Sequence, residues 1–111
     1  MNTGRILIVE DDPLVAADIE QTIATLGYSV VGTASTGIEA IEKAEALHPD
    51  LALMDITLKG KMDGIEAGQF MKNTYGTSLV FVTSHSDPAT FERARVTEPY
   101  GYVVKPFRDT D

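Results

Sequence analysis

The chain has no cysteine and no tryptophan, only nine basic side chains in 111 residues, and no long apolar run. Without cysteine, disulfides, thiolate metal sites and cysteine nucleophiles are all excluded. Nine Lys and Arg against 17 Asp and Glu leave a formal net charge of −8. That balance argues against a nucleic-acid surface or an anionic membrane, because phosphate contact needs a basic patch. No apolar stretch approaches the ~20 residues that span a bilayer. With acids already at Glu10 no signal peptide is expected, and a cytoplasmic location is. The length fits a single domain, residues 1–111, long enough to bury most of its apolar surface without staples.

What is present alternates. Short apolar runs rich in β-branched residues stand at Arg5–Val9, Ser29–Ala34, Leu51–Met54, Leu79–Val82 and Tyr100–Val104. Such runs fit strands buried on both faces. A helical pattern fills each gap. Asp12-Pro13 supplies a cap and a first-turn proline, then Val15, Ile19, Ile23 and Leu26 recur at helical intervals up to Gly27, a C′ residue. Thr36-Gly-Ile-Glu39 has capping-box spacing and precedes Ile41, Ala44 and Leu47. Asp63-Gly-Ile-Glu66 opens a third helix and Asp87-Pro88 a fourth, whose clear apolar anchors are Phe91 and Ala94. Strand–helix alternation with short connections and right-handed crossovers predicts an α/β fold: a flavodoxin-like, doubly wound, five-stranded parallel sheet in the order 2-1-3-4-5. Ligands bind such a sheet at the carboxyl ends of its strands, so the residues there decide function.

The first strand ends in Glu10-Asp11-Asp12, the third in Asp55, the fourth in Thr83-Ser84 and the fifth in Lys105-Pro106. Any one acid after a strand is ordinarily a helix cap, and Asp12 is read as one. Several carboxylates converging on one crevice are different: each pair ~4 Å apart costs about 4 kcal/mol at an effective dielectric of ~20. A bound cation relieves that repulsion, and oxygen-only donors without His or Cys select a hard ion such as Mg²⁺. Lys105 suits a phosphoryl group as a point charge, and the Thr83 hydroxyl can donate to the same group.

These blocks carry a resemblance. Ile6-Leu-Ile-Val-Glu10-Asp11-Asp12-Pro13, Leu53-Met-Asp55-Ile, Val80-Phe-Val-Thr83-Ser84 and Gly101-Tyr102-Val-Val-Lys105-Pro106-Phe107 are similar to the four motif blocks of response-regulator receiver domains, in family order and across nearly the whole chain. The resemblance implies that Asp55 is the phospho-acceptor, attacking the phosphohistidine of a sensor histidine kinase or phosphotransfer protein. It implies Mg²⁺ held by Asp11, Asp55, Glu10 through water, and the backbone carbonyl of Thr57. Thr83 and Lys105 would bind phosphoryl oxygens, Thr83 and Tyr102 would form the switch, and Lys105-Pro106 would be a cis peptide. Thr57 and His85 stand where the family tunes phosphoryl lifetime. The surface around the fourth helix and the fifth strand would then control an output domain, fused or separate. On this reading the domain catalyses only its own phosphorylation and dephosphorylation and is no enzyme towards outside substrates.

One departure stands out. The family commonly has a proline four positions after the acceptor, then Met-Asp-Gly; here Lys59-Gly60-Lys61 precedes Met62-Asp63-Gly64, one residue longer. This loop resembles receivers found in multidomain sensor kinases and cyclases. A Ser84/His85/Asp87 triad is rejected because neighbouring side chains do not align for a relay and no Gly-x-Ser-x-Gly elbow exists. Glu10-Asp11-Asp12 would repel a flavin phosphate. An aspartyl-phosphate phosphatase needs a second acid where Thr57 stands, and the remaining rival is a receiver-like interaction module that is never phosphorylated. The doubly wound pattern calls for a last helix after strand five, yet the sequence stops at Asp111. A C-terminally truncated piece of a longer protein, or a homodimer covering the gap, is therefore expected.

Overall fold

The computed structural model describes residues 4–58, 60–83, 88–97, 99 and 101–104. They form β1 (Arg5–Val9), α1 (Pro13–Thr25), β2 (Ser29–Ala34), α2 (Gly37–Leu47), β3 (Leu51–Asp55), α3 (Gly64–Tyr75), β4 (Ser78–Thr83), α4 (Pro88–Val96) and β5 (Gly101–Val104). The strands pair in parallel in the order β2-β1-β3-β4-β5, as the alternation requires. Register positions the strand ends. Val9 faces Met54, so Glu10 emerges beside Asp55, and Asp55 in turn lies beside Val82.

The local rules act as the sequence implies, with one variation. Asp12 caps α1 by accepting from Leu14 N–H at 2.9 Å, Pro13 opens the helix, and Gly27 follows the C-cap with φ +97°. Asp63 and Glu66 form a complete capping box. At α2, Thr36 accepts from Glu39 N–H at 3.1 Å, but Glu39 reaches back to the N–H of Ser35 at 2.8 Å instead of that of Thr36. The Ser35 backbone donor, with smaller help from its hydroxyl and from Lys43, holds the Glu39 carboxyl below the ordinary range.

The main core lies on one face of the sheet. Leu7, Val9, Ala52, Met54, Leu79 and Phe81 pack there with Ala40 and Ala44 of α2, Ile65, Ala67 and Met71 of α3, and Ala94 of α4. Each large side chain removed from water contributes about 1.5–3 kcal/mol. Small residues on the helices let them approach closely. Gly68 brings α3 so near that a β-carbon there would stand 3.0 Å from Leu79 and 3.2 Å from Phe81.

The opposite face is thinner, and the expected apolar stripe of α1 is shorter than its spacing implies. Val15, Ile19 and Ile23 are half-buried, no residue of α1 is fully buried, and Leu26 is 66% exposed. Leu26 is the C-cap of a helix that ends at Thr25, and no element among the described residues covers this end of the stripe. Ile6 and Ile8 are buried on this side, whereas Leu51, Leu53 and Val80 are only half-buried. The last helix expected by the fold rule would fall within or after residues 105–111, which lie outside the described residues.

Thr77, just before β4, is 2% exposed, and its hydroxyl finds no hydrogen-bond partner among the described residues. A buried hydroxyl left unpaired costs about 1–3 kcal/mol. Thr77→Val, equal in shape, should therefore raise the unfolding free energy by about 1 kcal/mol in urea titration. A loss of stability would mean that the hydroxyl has a partner.

Candidate functional site

The site is built where β1 and β3 end side by side. Glu10 is 6% exposed, Asp55 is 7% exposed and Asp11 is half-buried. Each offers a carboxylate oxygen within 4.8 Å of the others. Backbone donors hold two of the three: Asp12 N–H donates to Glu10 Oε2 at 3.2 Å, and Thr57 N–H donates to Asp55 Oδ1 at 3.3 Å. The Asp12 side chain is occupied as the α1 cap, so Asp12 joins the group only through its backbone N–H. A groove between α1 and α2 opens beside the acids, lined by Glu10, Asp11, Ala16, Ser35, Glu39 and Lys43.

The loop after Asp55 is pinned at both ends despite its extra residue. Ile56 N–H donates to Val82 O at 3.2 Å, and Gly64 N–H donates to Ile56 O at 2.8 Å. Gly64 lies against the backbone of Asp55, so that a β-carbon there would fall 2.0 Å from the Asp55 carbonyl oxygen. Met62 rests on Gly37 of α2, where a β-carbon would stand 3.0 Å from the Met62 carbonyl oxygen. Within this loop Gly60 has a φ of +96°, costly for any residue with a side chain, and open surroundings.

Three acids expected to converge do converge: Glu10, Asp11 and Asp55. Thr57 stands two residues beyond Asp55 with its N–H on that carboxylate. Thr83 closes β4 and Tyr102 lies within β5. Ser84, His85, Asp87, Lys105 and Pro106, with the cis peptide expected there, lie outside the described residues, as does Lys59. Two contributors escaped the sequence reading. Gly64 was visible as part of Met62-Asp63-Gly64, but its approach to Asp55 requires coordinates. Arg93, whose guanidinium bonds Asp63 at 2.9 Å, carried no sequence signal at all.

A family model of the response regulator receiver domain matches residues 6–111. The chain belongs to this family. The transcriptional regulatory protein PdtaR of Mycobacterium tuberculosis is 37% identical over 107 residues, covering 96% of this chain and 52% of that protein. Chemotaxis protein CheY of Thermotoga maritima is 33% identical over 105 residues, covering 94% of this chain and 87% of that one. Among solved structures, the signal receiver domain of a modulated diguanylate cyclase from Desulfovibrio desulfuricans G20 superposes with a TM-score of 0.89 at 40% identity, over 95% of this chain and 83% of that chain. The receiver domain spans about half the length of PdtaR and 39% of the phyllosphere-induced regulator PhyR of Methylorubrum extorquens, another relative at 36% identity. No helix among its described residues is long and apolar enough to cross a membrane.

The donor set of this receiver domain fits a hard divalent cation. Three carboxylates within 4.8 Å, two of them almost fully buried, supply only oxygen, with neither His nor Cys in the group.

Proposed function

We propose that the receiver domain takes a phosphoryl group on Asp55 from the phosphohistidine of a sensor histidine kinase or phosphotransfer protein. The observation that carries this reading is the meeting of Glu10, Asp11 and Asp55 within 4.8 Å at adjoining strand ends. A carboxylate oxygen of Asp55 attacks phosphorus, the P–N bond to the donor histidine breaks, and the imidazole leaves with the electron pair and a proton. A carboxylate is a poor nucleophile towards a phosphoryl dianion, so the work lies in neutralising and positioning charge. Asp11, Asp55, Glu10 and the Thr57 carbonyl would hold Mg²⁺, which would supply that neutralisation when bound. Thr57 N–H orients the Asp55 carboxylate, and Gly64 fixes the backbone from which it projects.

By the motif match, Lys105 and Thr83 take the remaining phosphoryl oxygens, and Thr83 and Tyr102 carry the change to the surface of α4 and β5. Thr57 and His85 set how long the phosphoryl group survives. The partners are the donor on one side and an output domain or protein on the other, in the cytoplasm. The domain turns over no outside substrate. Acetyl phosphate with Mg²⁺ should add one acid-labile phosphoryl group to the protein, and Asp55→Asn should take up none. Absence of any mass gain from several donors would leave a non-phosphorylated interaction module. Steady hydrolysis of phosphate esters would make it a phosphatase instead.

A further inference from the structure

Helix α4 buries little of its surface among the described residues. Ala94 is its one fully buried residue among those described. Two cations span the gap between α4 and α3. Arg93 Nη2 donates to Asp63 Oδ2 at 2.9 Å, and Lys72 Nζ of α3 donates to the Thr97 carbonyl at 2.6 Å, just beyond the end of α4. The second contact fixes the C-terminal end of α4 through a backbone oxygen. The first is different, because both partners are side chains and one already has a task.

Asp63 uses its other oxygen, Oδ1, to cap α3 by accepting from Glu66 N–H at 2.9 Å. Its neighbour Gly64 lies on the Asp55 carbonyl. One carboxylate therefore joins three things: the end of the loop that follows Asp55, the start of α3 and the middle of α4. Arg95 does not share this role, since it pairs with Glu92 on α4 itself.

We propose that the Asp63–Arg93 ion pair is a latch that holds α4 against the start of α3, so that any movement of the loop after Asp55 that carries Asp63 with it loosens α4. The geometry requires no phosphorylation, so the latch stands or falls independently of the proposed phosphoryl transfer. The side chains are 52% and 30% exposed, which places the pair among modest, salt-screened interactions. A modest contact suffices because α4 has little buried apolar surface to keep it in place.

Amide hydrogen exchange of the unphosphorylated protein tests this. Arg93→Gln should speed exchange of α4 amides by about threefold to fivefold and leave α3 unchanged. Asp63→Asn keeps a capping side chain but removes the charge, so α3 should stay protected while α4 loosens to the same extent. In the double variant the two effects should not add, and ~0.5 M salt should loosen α4 in the parent protein only. Unchanged α4 exchange in Arg93→Gln, or additive effects in the double variant, overturns the latch.

Discussion

Gly64→Ala should cost about 3 kcal/mol or more of stability and slow phosphoryl uptake at least a hundredfold. Helix propensity alone points the other way, since alanine in place of glycine at a helical position gains up to ~1 kcal/mol. Geometry decides the sign. A methyl group at 2.0 Å from the Asp55 carbonyl oxygen and 2.9 Å from Ile56 Cα meets backbone, which cannot swing aside as a side chain can. Either the start of α3 must retreat, breaking the 2.8 Å bond from Gly64 N–H to Ile56 O, or the end of β3 must move and take the Asp55 carboxylate with it. Gly68→Ala is the control on the same helix. Its β-carbon would meet the side chains of Leu79 and Phe81 at 3.0–3.2 Å, far from the acids. It should cost stability through overpacking yet leave uptake per folded molecule unchanged. Urea melts and phosphorylation time courses on both variants make the comparison. Parental uptake by Gly64→Ala would show that the loop accommodates the methyl group without moving the acceptor.

How much of this was legible follows from what kind of physics sets each feature. Strand order came from alternation and handedness, which are local and general, and the sheet β2-β1-β3-β4-β5 obeys them. The caps at Asp12 and Asp63 are also local, fixed by a side chain and an N–H two or three residues on. The convergence of Glu10, Asp11 and Asp55 needed one further step, the parallel register that brings Val9 opposite Met54, and the motif blocks implied it. Tertiary detail stayed hidden. The α1 stripe at Val15, Ile19, Ile23 and Leu26 has the right period, yet nothing in the spacing tells that Leu26 stays exposed at the C-cap while the other three are half-buried. The return arm of Glu39 to Ser35 instead of Thr36 is a matter of one rotamer. Arg93 reaches Asp63 across 30 residues of sequence, and no periodicity links them. The one-residue-longer loop was visible as a length, but the positive φ at Gly60 within it was not.

Asp11→Asn should stabilise the receiver domain when divalent cations are chelated and weaken its response when they are supplied. Two carboxylates 4.8 Å apart repel by about 3.5 kcal/mol at an effective dielectric of ~20. Asp11 faces two such neighbours, Glu10 and Asp55, and it is the most exposed of the three, so solvent screening reduces the relief well below that sum. About 1–2 kcal/mol of added unfolding free energy in a chelator is expected. The loss appears with metal present. A ligand that binds only the folded state at ten times its dissociation constant adds about 1.4 kcal/mol, and the parent protein should show that gain in rising Mg²⁺ while Asp11→Asn lags behind it. The curves should therefore approach or cross as Mg²⁺ increases. The crossing separates a binding site from a cap, because a cap residue loses stability when altered under every condition. Thermal melts across a Mg²⁺ series read both arms at once, with Asp12→Ala as the comparison, a substitution that removes the α1 cap and keeps the backbone N–H bond to Glu10. Were Asp11→Asn less stable than the parent even in chelator, the half-buried carboxylate would be holding the fold together instead of waiting for a cation.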